Sequence, residues 1–80
     1  MNVFIISEYN EVFYSDINLV RLFFNKNSFS VMNNHVPTIG RISVISFKKK
    51  DKIYLYCLKN AHFIQKKNFL NIICDNYELL

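Results

Sequence analysis

The chain has 80 residues, of which 51% are hydrophobic and 20% charged, with a formal net charge of +4. This length fits one domain, predicted to span residues 1–80, and the apolar content excludes disorder, which needs low hydrophobicity and high charge. No run approaches the roughly 18 to 20 apolar residues that cross a bilayer, so no membrane insertion is expected. Residues 1–7 lack the basic start of a signal peptide, so we expect the protein to stay in the compartment where it is made.

Short apolar runs recur about every 8 to 12 residues in the first half of the chain, which is the spacing of an all-β sandwich or barrel. The predicted strands are Val3–Ile6, Val12–Tyr14, Ile17–Phe24 and Phe29–Met32. The polar segment Asn25–Ser28 is predicted to form a turn, because asparagine and serine readily make the hydrogen bonds of turns.

The second half of the chain alternates apolar and polar residues more regularly. The predicted strands are Ile42–Phe47, Ile53–Leu58, Ala61–Gln65 and Phe69–Cys74, with turns at Lys48–Lys52 and Lys66–Asn68 and a tail at Asp75–Leu80. Within the second of these strands, side chains alternate between two faces. One face is expected to carry Ile53, Leu55 and Cys57, and the other Tyr54 and Tyr56.

Glycine is almost absent, although hairpin turns usually need it where φ is positive. Gly40 is the single glycine of the chain. Asparagine tolerates the left-handed conformation better than most residues. We therefore expect asparagine to replace glycine at Asn10, Asn27, Asn34, Asn60 and Asn68.

Catalysis, a metal site and a cofactor are not predicted. A nucleophile needs a base and an orienting group, and here only Cys57 or Cys74 with His62 could form a pair. Both thiols are predicted to be buried in a reducing compartment, and His62 to be a half-buried structural residue. Two cysteines without paired histidines do not make a zinc site, and one glycine does not make a phosphate-binding loop. The chain is predicted not to be an enzyme.

The basic run Lys48–Lys52 leaves a second function open. With Tyr54, Tyr56 and Phe63, it could belong to a small basic β-barrel that binds single-stranded nucleic acid through phosphate contacts and base stacking. A solvated hairpin tip that protects strand edges explains the same residues. Under that interpretation nucleic acid is not a partner, and a charge reversal at Lys49 is expected to change little.

The segment from Phe29 to Ile39 resembles a signature of the ATP synthase epsilon subunit family, whose mitochondrial equivalent is the delta subunit. The signature is a short apolar strand, a Pro-Gly-His-Ala-Pro-like turn and a pair of aliphatic residues. The matching residues here are Val31, Met32, His35, Pro37 and Ile39. The opening strand and turn of the family's N-terminal β-sandwich, and its last strand, are matched by Val3–Ser7, Val12-Phe13 and Phe69–Asp75. The resemblance covers nearly the whole chain.

The resemblance implies an all-β fold, a two-sheet β-sandwich of short antiparallel strands, without the C-terminal helical hairpin usual in the family. It implies a non-catalytic subunit of the central stalk that fastens the gamma subunit to the c-ring and so couples ion flow to ATP synthesis. Such a subunit lies on the cytoplasmic face of the inner or plasma membrane, or in the equivalent organelle compartment, as a peripheral protein.

Positions carried over from the family give candidate contact residues. Asn27 and Ser28 are expected to meet the polar loops of the c-ring, where the family often has an acidic residue at the position of Ser28. The residues expected to meet the gamma subunit are Ser7, His35 and Gly40, and those expected to define the turn are Asn34 and Pro37. Family glycines are replaced at several turns, including Ser30 and Lys59-Asn60. This leaves a third interpretation open, an epsilon-like protein without a working partner.

Overall fold

The computed structural model describes residues 1–32 and 37–80, which consist of strands joined by turns, bends and irregular residues. The strands of these two segments are β1 (Asn2–Ile6), β2 (Glu11–Tyr14), β3 (Leu19–Phe24), β4 (Asn27–Met32), β5 (Thr38–Lys49), β6 (Lys52–Lys66), β7 (Phe69–Ile73) and β8 (Asn76–Leu79). They form one mixed sheet in the order β2-β1-β7-β6-β5-β3-β4, and β8 pairs with β6. The all-β prediction is confirmed.

The sheet is bent where β5 and β6 change register. A straight strand of the length of β6, 15 residues, would span about 50 Å at roughly 3.3 Å per residue, yet the longest dimension of the molecule is 27 Å. Ile42 pairs with Ala61 and Val44 with Cys57, so Ser43 stands opposite the three residues 58–60 of β6. Asn60 has a φ of 50° at this place. The bulge turns both strands together.

The bend divides the sheet into two halves that pack face to face. The β1 half contains β2, β1, β7, the end of β6 and the start of β5, whereas the β3 half contains β4, β3, the end of β5, the start of β6 and β8. Side chains from the two halves meet in the interior. The ring centroids of Phe29 in β4 and Phe63 in β6 are 5.4 Å apart, and those of Tyr14 in β2 and Phe47 in β5 are 4.8 Å apart. These halves are the two layers of the predicted sandwich, but they belong to one sheet and not to two, because β5 and β6 run through both.

The interior contains the largest buried side chains of the chain. Those with no more than 1% exposure include Val3, Ile5, Ile17, Val20, Leu22, Val31, Ile45, Phe63, Leu70 and Ile72. Burying one such side chain contributes roughly 1.5–3 kcal/mol before the entropy of ordering is counted. Gln65 is also fully buried; its amide nitrogen donates to the Lys67 carbonyl, and its Oε1 has no hydrogen-bond partner.

Four features of the predicted strand arrangement need correction. β1 and β7 run parallel, with Asn2 opposite Phe69, so the sheet is not wholly antiparallel. The two strands predicted at Ile53–Leu58 and Ala61–Gln65 are one strand, because the residues between them bend the chain without reversing it. The predicted tail contains β8, whose backbone pairs with residues 56–59 of β6. β3 begins at Leu19, and Ile17 before it exchanges two backbone hydrogen bonds with Met1.

In the first part of β6, one prediction about which side chains are buried is wrong. Tyr56 is buried and Cys57 is exposed, so the expectation of two buried thiols is wrong for Cys57 and correct for Cys74. Alternation defines two sets of side chains but does not say which set faces inward. Tyr56 faces inward because its ring packs near Phe47 and Tyr14 in the interior. 

Left-handed residues occupy the turns, but they are mostly not the asparagines that were predicted. Asn60 is confirmed, whereas Asn10, Asn27 and Asn68 do not have positive φ, and Asn34 lies outside the described residues. The residues with positive φ are Asp16, Asn25, Lys50, Asp51, Asn60 and Lys67. The reason is that the hairpins close on two-residue turns, so the strained positions fall one or two residues earlier than expected.

Candidate partner-binding face

The outer surface of the β1 half is unusually apolar. Residues directly opposite each other in neighbouring strands point to the same side of a sheet. One such row runs Phe13, Phe4, Asn71, Ile64 and Ile39 across five strands. The rings of Phe4 and Phe13 are in contact, with centroids 4.5 Å apart. This row crosses the whole half-sheet on the side away from the core.

Rows on either side of this one extend the surface. The full set of outward apolar side chains, called the apolar face below, is Phe4, Ile6, Phe13, Ile39, Ile64, Phe69 and Ile73. Ile39 is 73% exposed and Ile73 is 54% exposed. Sheets with one solvated side normally carry polar residues there. Asn71 lies between Phe4 and Ile64 in the central row, and the other members are apolar. Exposed apolar residues clustered in this way mark interaction sites in proteins.

Charged and polar side chains border one edge of the apolar face. Ile6 and Ile73 are the middle residues of a cross-strand row. Glu11 lies at one end of this row, and His62 and Arg41 lie at the other end. An apolar centre with a polar border is the usual composition of a protein–protein interface. The arrangement can bind another protein surface.

Ser7 lies at one end of this half-sheet, directly after β1. Its Oγ donates to the Asn10 carbonyl at 3.0 Å and accepts from the backbone N–H of Tyr9 and of Asn10, at 3.3 and 3.1 Å. Its own N–H also donates to Asn10. The side chain therefore closes the β1–β2 turn, and this local role accounts for its hydrogen bonds.

Gly40 lies in β5, on the opposite side of the same half-sheet. It stands directly across from Phe63, and a β-carbon on Gly40 would be 3.0 Å from the Phe63 Cε1. Its φ is not positive, so the glycine serves close packing and not a turn. Gly40 faces the core, whereas its neighbours Ile39 and Arg41 are exposed. β7 and β6 separate the strands of Ser7 and Gly40, which puts these strands about 14 Å apart at roughly 4.8 Å per spacing.

The other residues expected to make contacts are placed as follows. Asn27 and Ser28 are the first two residues of β4 and are exposed; the turn before them is Asn25-Lys26. They were predicted inside the turn, and this is wrong because Asn27 already pairs with Phe24. Pro37 is exposed and directly precedes β5. Asn34 and His35 lie outside the described residues.

Histidine, cysteine and acidic side chains do not gather into a metal-binding group in residues 1–32 and 37–80. These residues contain no group of three or more His, Cys, Asp or Glu side chains that could hold a metal ion. Cys74 donates its thiol to the Ile6 carbonyl at 3.5 Å, and burial followed by the Asp75 charge raises the pKa of this thiol. His62 is exposed, which corrects the expectation of a half-buried histidine. It lies on the outer side, whereas Cys74 is buried.

The tyrosines form a cluster between the two halves. The hydroxyl groups of Tyr14 and Tyr56 are hydrogen-bonded, and the Tyr14 ring lies 4.9 Å from that of Tyr54. Burial, followed by the bond to Tyr14, raises the pKa of Tyr56 far above its ordinary value. Tyr77 packs edge-on against Tyr56, and burial also raises its pKa. Tyr56 is buried, and the partly buried Tyr14, Tyr54 and Tyr77 pack against the core.

The described part of the chain contains no helix long and apolar enough to cross a membrane. No protein-family model matches the sequence, and no curated protein sequence matches it. The fold, in contrast, has a solved counterpart. It matches a chain in the cryo-EM structure of the Euglena gracilis mitochondrial ATP synthase, OSCP/F1/c-ring in rotational state 1.

The fold is shared with an ATP synthase chain. The TM-score is 0.82 at 8% sequence identity, and the match covers 96% of this chain and 51% of that chain. This protein therefore spans about half the length of its structural counterpart. The sequence resemblance to an ATP synthase subunit and the structural match agree on the fold.

Sequence reasoning missed the apolar face, since none of its seven members is among the predicted contact residues. Ile64, Phe69 and Ile73 were assigned to strands but not to a contact surface. The signal was present, because the strand Phe69–Ile73 is apolar at both alternating positions, which happens when both sides of a strand are covered. 

Proposed function

We propose that this protein is a non-catalytic subunit of a rotary ATP synthase that fastens the gamma subunit to the c-ring. The observation that carries the proposal is the apolar face, which lies on a fold shared with an ATP synthase chain over 96% of this protein. A rotor coupling part needs a stiff body and complementary surfaces but no reactive group. The closely packed interior between the two halves supplies the stiffness.

The gamma subunit is the partner proposed for the apolar face. Ser7 and Gly40, the described members of the predicted gamma contact set, both belong to the β1 half, which also carries this face. The two neighbours of Gly40 in the sequence, Ile39 and Arg41, are exposed. Contact with gamma at this side would bury the apolar residues and leave the charged border in water.

The c-ring is proposed to meet the other half of the molecule. Asn27 and Ser28 start β4, an edge strand of the β3 half, and both are exposed. Their amide and hydroxyl groups can hydrogen-bond to polar loops without a charge pair. The two proposed contacts thus lie on different halves, as a connecting part requires. As part of this complex the protein would be peripheral, on the cytoplasmic face of the membrane or its organelle equivalent.

The nucleic-acid alternative has less support from the structure. Base stacking needs exposed aromatic rings beside basic residues. Tyr56 is buried, and the rings of Tyr14 and Phe47 pack against it. Tyr54 is half-buried and stacks on Phe47. The Nζ of Lys52 lies 5.2 Å from the centroid of the half-buried Tyr54 ring. Tyr56 is buried, however, so the basic turn at Lys48–Lys52 does not continue into a row of exposed rings.

Co-expression with the gamma subunit encoded by the same genome tests the proposal. Ile39 is 73% exposed on the apolar face, and Ile53 is 71% exposed on the β3 half, which makes a matched pair. Ile39→Glu should weaken the complex about 100-fold, because it would bury an unpaired charge. Ile53→Glu should leave binding unchanged. Absence of a complex with the unmodified chain, or equal loss in both variants, would contradict the proposal.

A further inference from the structure

A groove of about 600 Å³ lies on the outer side of the β3 half, between the β2–β3 connection and the β5–β6 turn. β3 and β5 form its floor, where Arg21 stands directly opposite Ser46 and so shares a side with it. Lys48 likewise stands opposite Ile53 across β5 and β6. The groove is on a different half from the apolar face and is independent of the proposed contact with gamma.

The two walls of the groove are held together by Lys49. Its Nζ donates to the Ser15 carbonyl at 2.7 Å and lies 3.4 Å from the Ser15 Oγ. This contact joins the β5–β6 turn to the β2–β3 connection, which are far apart in the sequence. The groove is therefore formed before any ligand enters.

The lining has more cations than carboxylates. Arg21, Lys48, Lys49 and Lys50 are opposed by Asp16 and Asp51 only. Lys48 and Asp51 form an ion pair at 3.7 Å, but their side chains are 64% and 98% exposed, so the pair is weak. Within the described residues, the Arg21 and Lys50 side chains make no hydrogen bond or ion pair. Their donors are available to an anion.

The combination of side chains selects the kind of anion. A guanidinium beside a serine hydroxyl and lysine amines provides the donors that bind phosphate oxygens. Two apolar side chains, Leu19 and Ile53, also line the groove and are 41% and 71% exposed. Phe47 is the one aromatic residue of the lining and is 3% exposed, so bases have no ring to stack on.

We propose that this groove, called the basic groove below, binds a phosphate group whose ligand has an apolar part next to it. Arg21, Ser46, Lys48 and Lys50 hold the phosphate, and Leu19 and Ile53 contact the apolar part. A phospholipid headgroup and a soluble phosphate ester share this chemistry. The experiment separates the two sources.

The chain offers a matched control for the lysines. Lys50 and Lys67 are both exposed turn residues with nearly equal φ, 52° and 56°. The variant Lys48→Gln/Lys50→Gln therefore compares with Lys66→Gln/Lys67→Gln, which removes the same charge from another hairpin. Arg21→Gln compares with Arg41→Gln, since Arg41 lies over the Phe24 ring outside the groove.

Binding is measured in two ways. Co-sedimentation uses phosphatidylcholine vesicles with and without phosphatidic acid, and amide NMR titrations use inorganic phosphate and glycerol 3-phosphate. The groove variants should bind about tenfold more weakly than their controls, because each loses charge-assisted hydrogen bonds. Loss with vesicles alone assigns a lipid headgroup, and loss with glycerol 3-phosphate assigns a soluble ester.

Two results would overturn the proposal. Equal weakening in groove and control variants would mean that net charge alone attracts the anion. In the unmodified protein, shifts that spare the amides of Arg21, Ser46 and Lys48 would place binding elsewhere. This second measurement needs no variant, so it holds even if a substitution prevents folding.

Discussion

The ring of Phe63 lies against Gly40, with Cε1 and Cζ 3.0 and 3.3 Å from the point where a β-carbon of residue 40 would be. Phe63 is 1% exposed and also contacts Phe29 from β4, so its ring has little room to move. Through the contacts of Phe63 with Gly40 and Phe29, the paired strands β5 and β6 are packed against β4 at the edge of the sheet.

Gly40→Ala is expected to destabilise the fold by about 1 kcal/mol. Overpacking against the Phe63 ring costs roughly 1–3 kcal/mol, and part of this is offset because alanine loses less backbone entropy than glycine. Urea unfolding measures the difference. In a Phe63→Leu background the cost of Gly40→Ala should fall, since leucine leaves room for the methyl group. A Gly40→Ala variant more stable than the parent would contradict this explanation.

Stability is expected to fall at alkaline pH because of Tyr56. Burial and the bond to Tyr14 raise the pKa of Tyr56 in the folded state above its ordinary value of 10.0. The stabilisation is complete below pH 10 and is lost as the pH rises above it, because only the unfolded chain then releases the proton. One such group changes the free energy of unfolding by at most about 1.4 kcal/mol per pH unit.

Tyr56→Phe should make this alkaline decline shallower, and it should cost about 1 kcal/mol at neutral pH through the lost hydrogen bond to Tyr14. Tyr9→Phe is the control, because Tyr9 is 79% exposed. Urea unfolding at a series of pH values above and below 10 provides the measurement. An unchanged slope in Tyr56→Phe would mean that other groups, such as Tyr77, carry the effect.

Lys49→Glu is expected to destabilise the protein by about 1 to 2 kcal/mol, unlike the small effect expected from the sequence. The substitution removes the 2.7 Å hydrogen bond from Nζ to the Ser15 carbonyl and puts a carboxylate beside that oxygen. Lys66→Glu, at an exposed residue of β6, is the matched charge reversal and should change little. Thermal unfolding of the two variants side by side gives the comparison; equal melting temperatures would refute the role of this contact.

Val31→Asp is expected to prevent folding. Val31 has no exposed surface, and a buried carboxylate without a partner costs several kcal/mol, which is comparable to the whole stability of a small domain. Ser30→Asp places the same charge one residue earlier, where the side chain is exposed. Circular dichroism should show strand signal for Ser30→Asp and its loss for Val31→Asp. A folded Val31→Asp variant would mean that the core is looser than its burial indicates.

Local patterns predicted most strands but not how the strands are combined. Short apolar runs identified the ends of β1 and β2, because polar residues follow each run. The parallel pairing of Asn2 with Phe69 joins residues far apart in the chain, and no local pattern encodes it. β8 was missed because only Tyr77 in it is partly buried, so it lacks an apolar rhythm.

The apolar face was not predicted, for a similar reason. A lone glycine inside a strand pattern signals a close approach, and Gly40 does meet the Phe63 ring. The apolar face, in contrast, can be identified only when the order of the strands is known. Phe13 and Ile39 belong to one cross-strand row, but three other strands lie between their strands. Family positions gave single residues, whereas the fold gives a surface.

Because β5 and β6 run through both layers, the molecule has no seam along which one layer could slide over the other. A twisting load applied to the β1 half reaches the β3 half through two continuous peptide chains and their shared hydrogen bonds. Separating the layers would require breaking these strands' ladder at the bulge around Ser43 and Asn60. In residues 1–32 and 37–80 the two layers are therefore joined by the backbone itself, through β5 and β6.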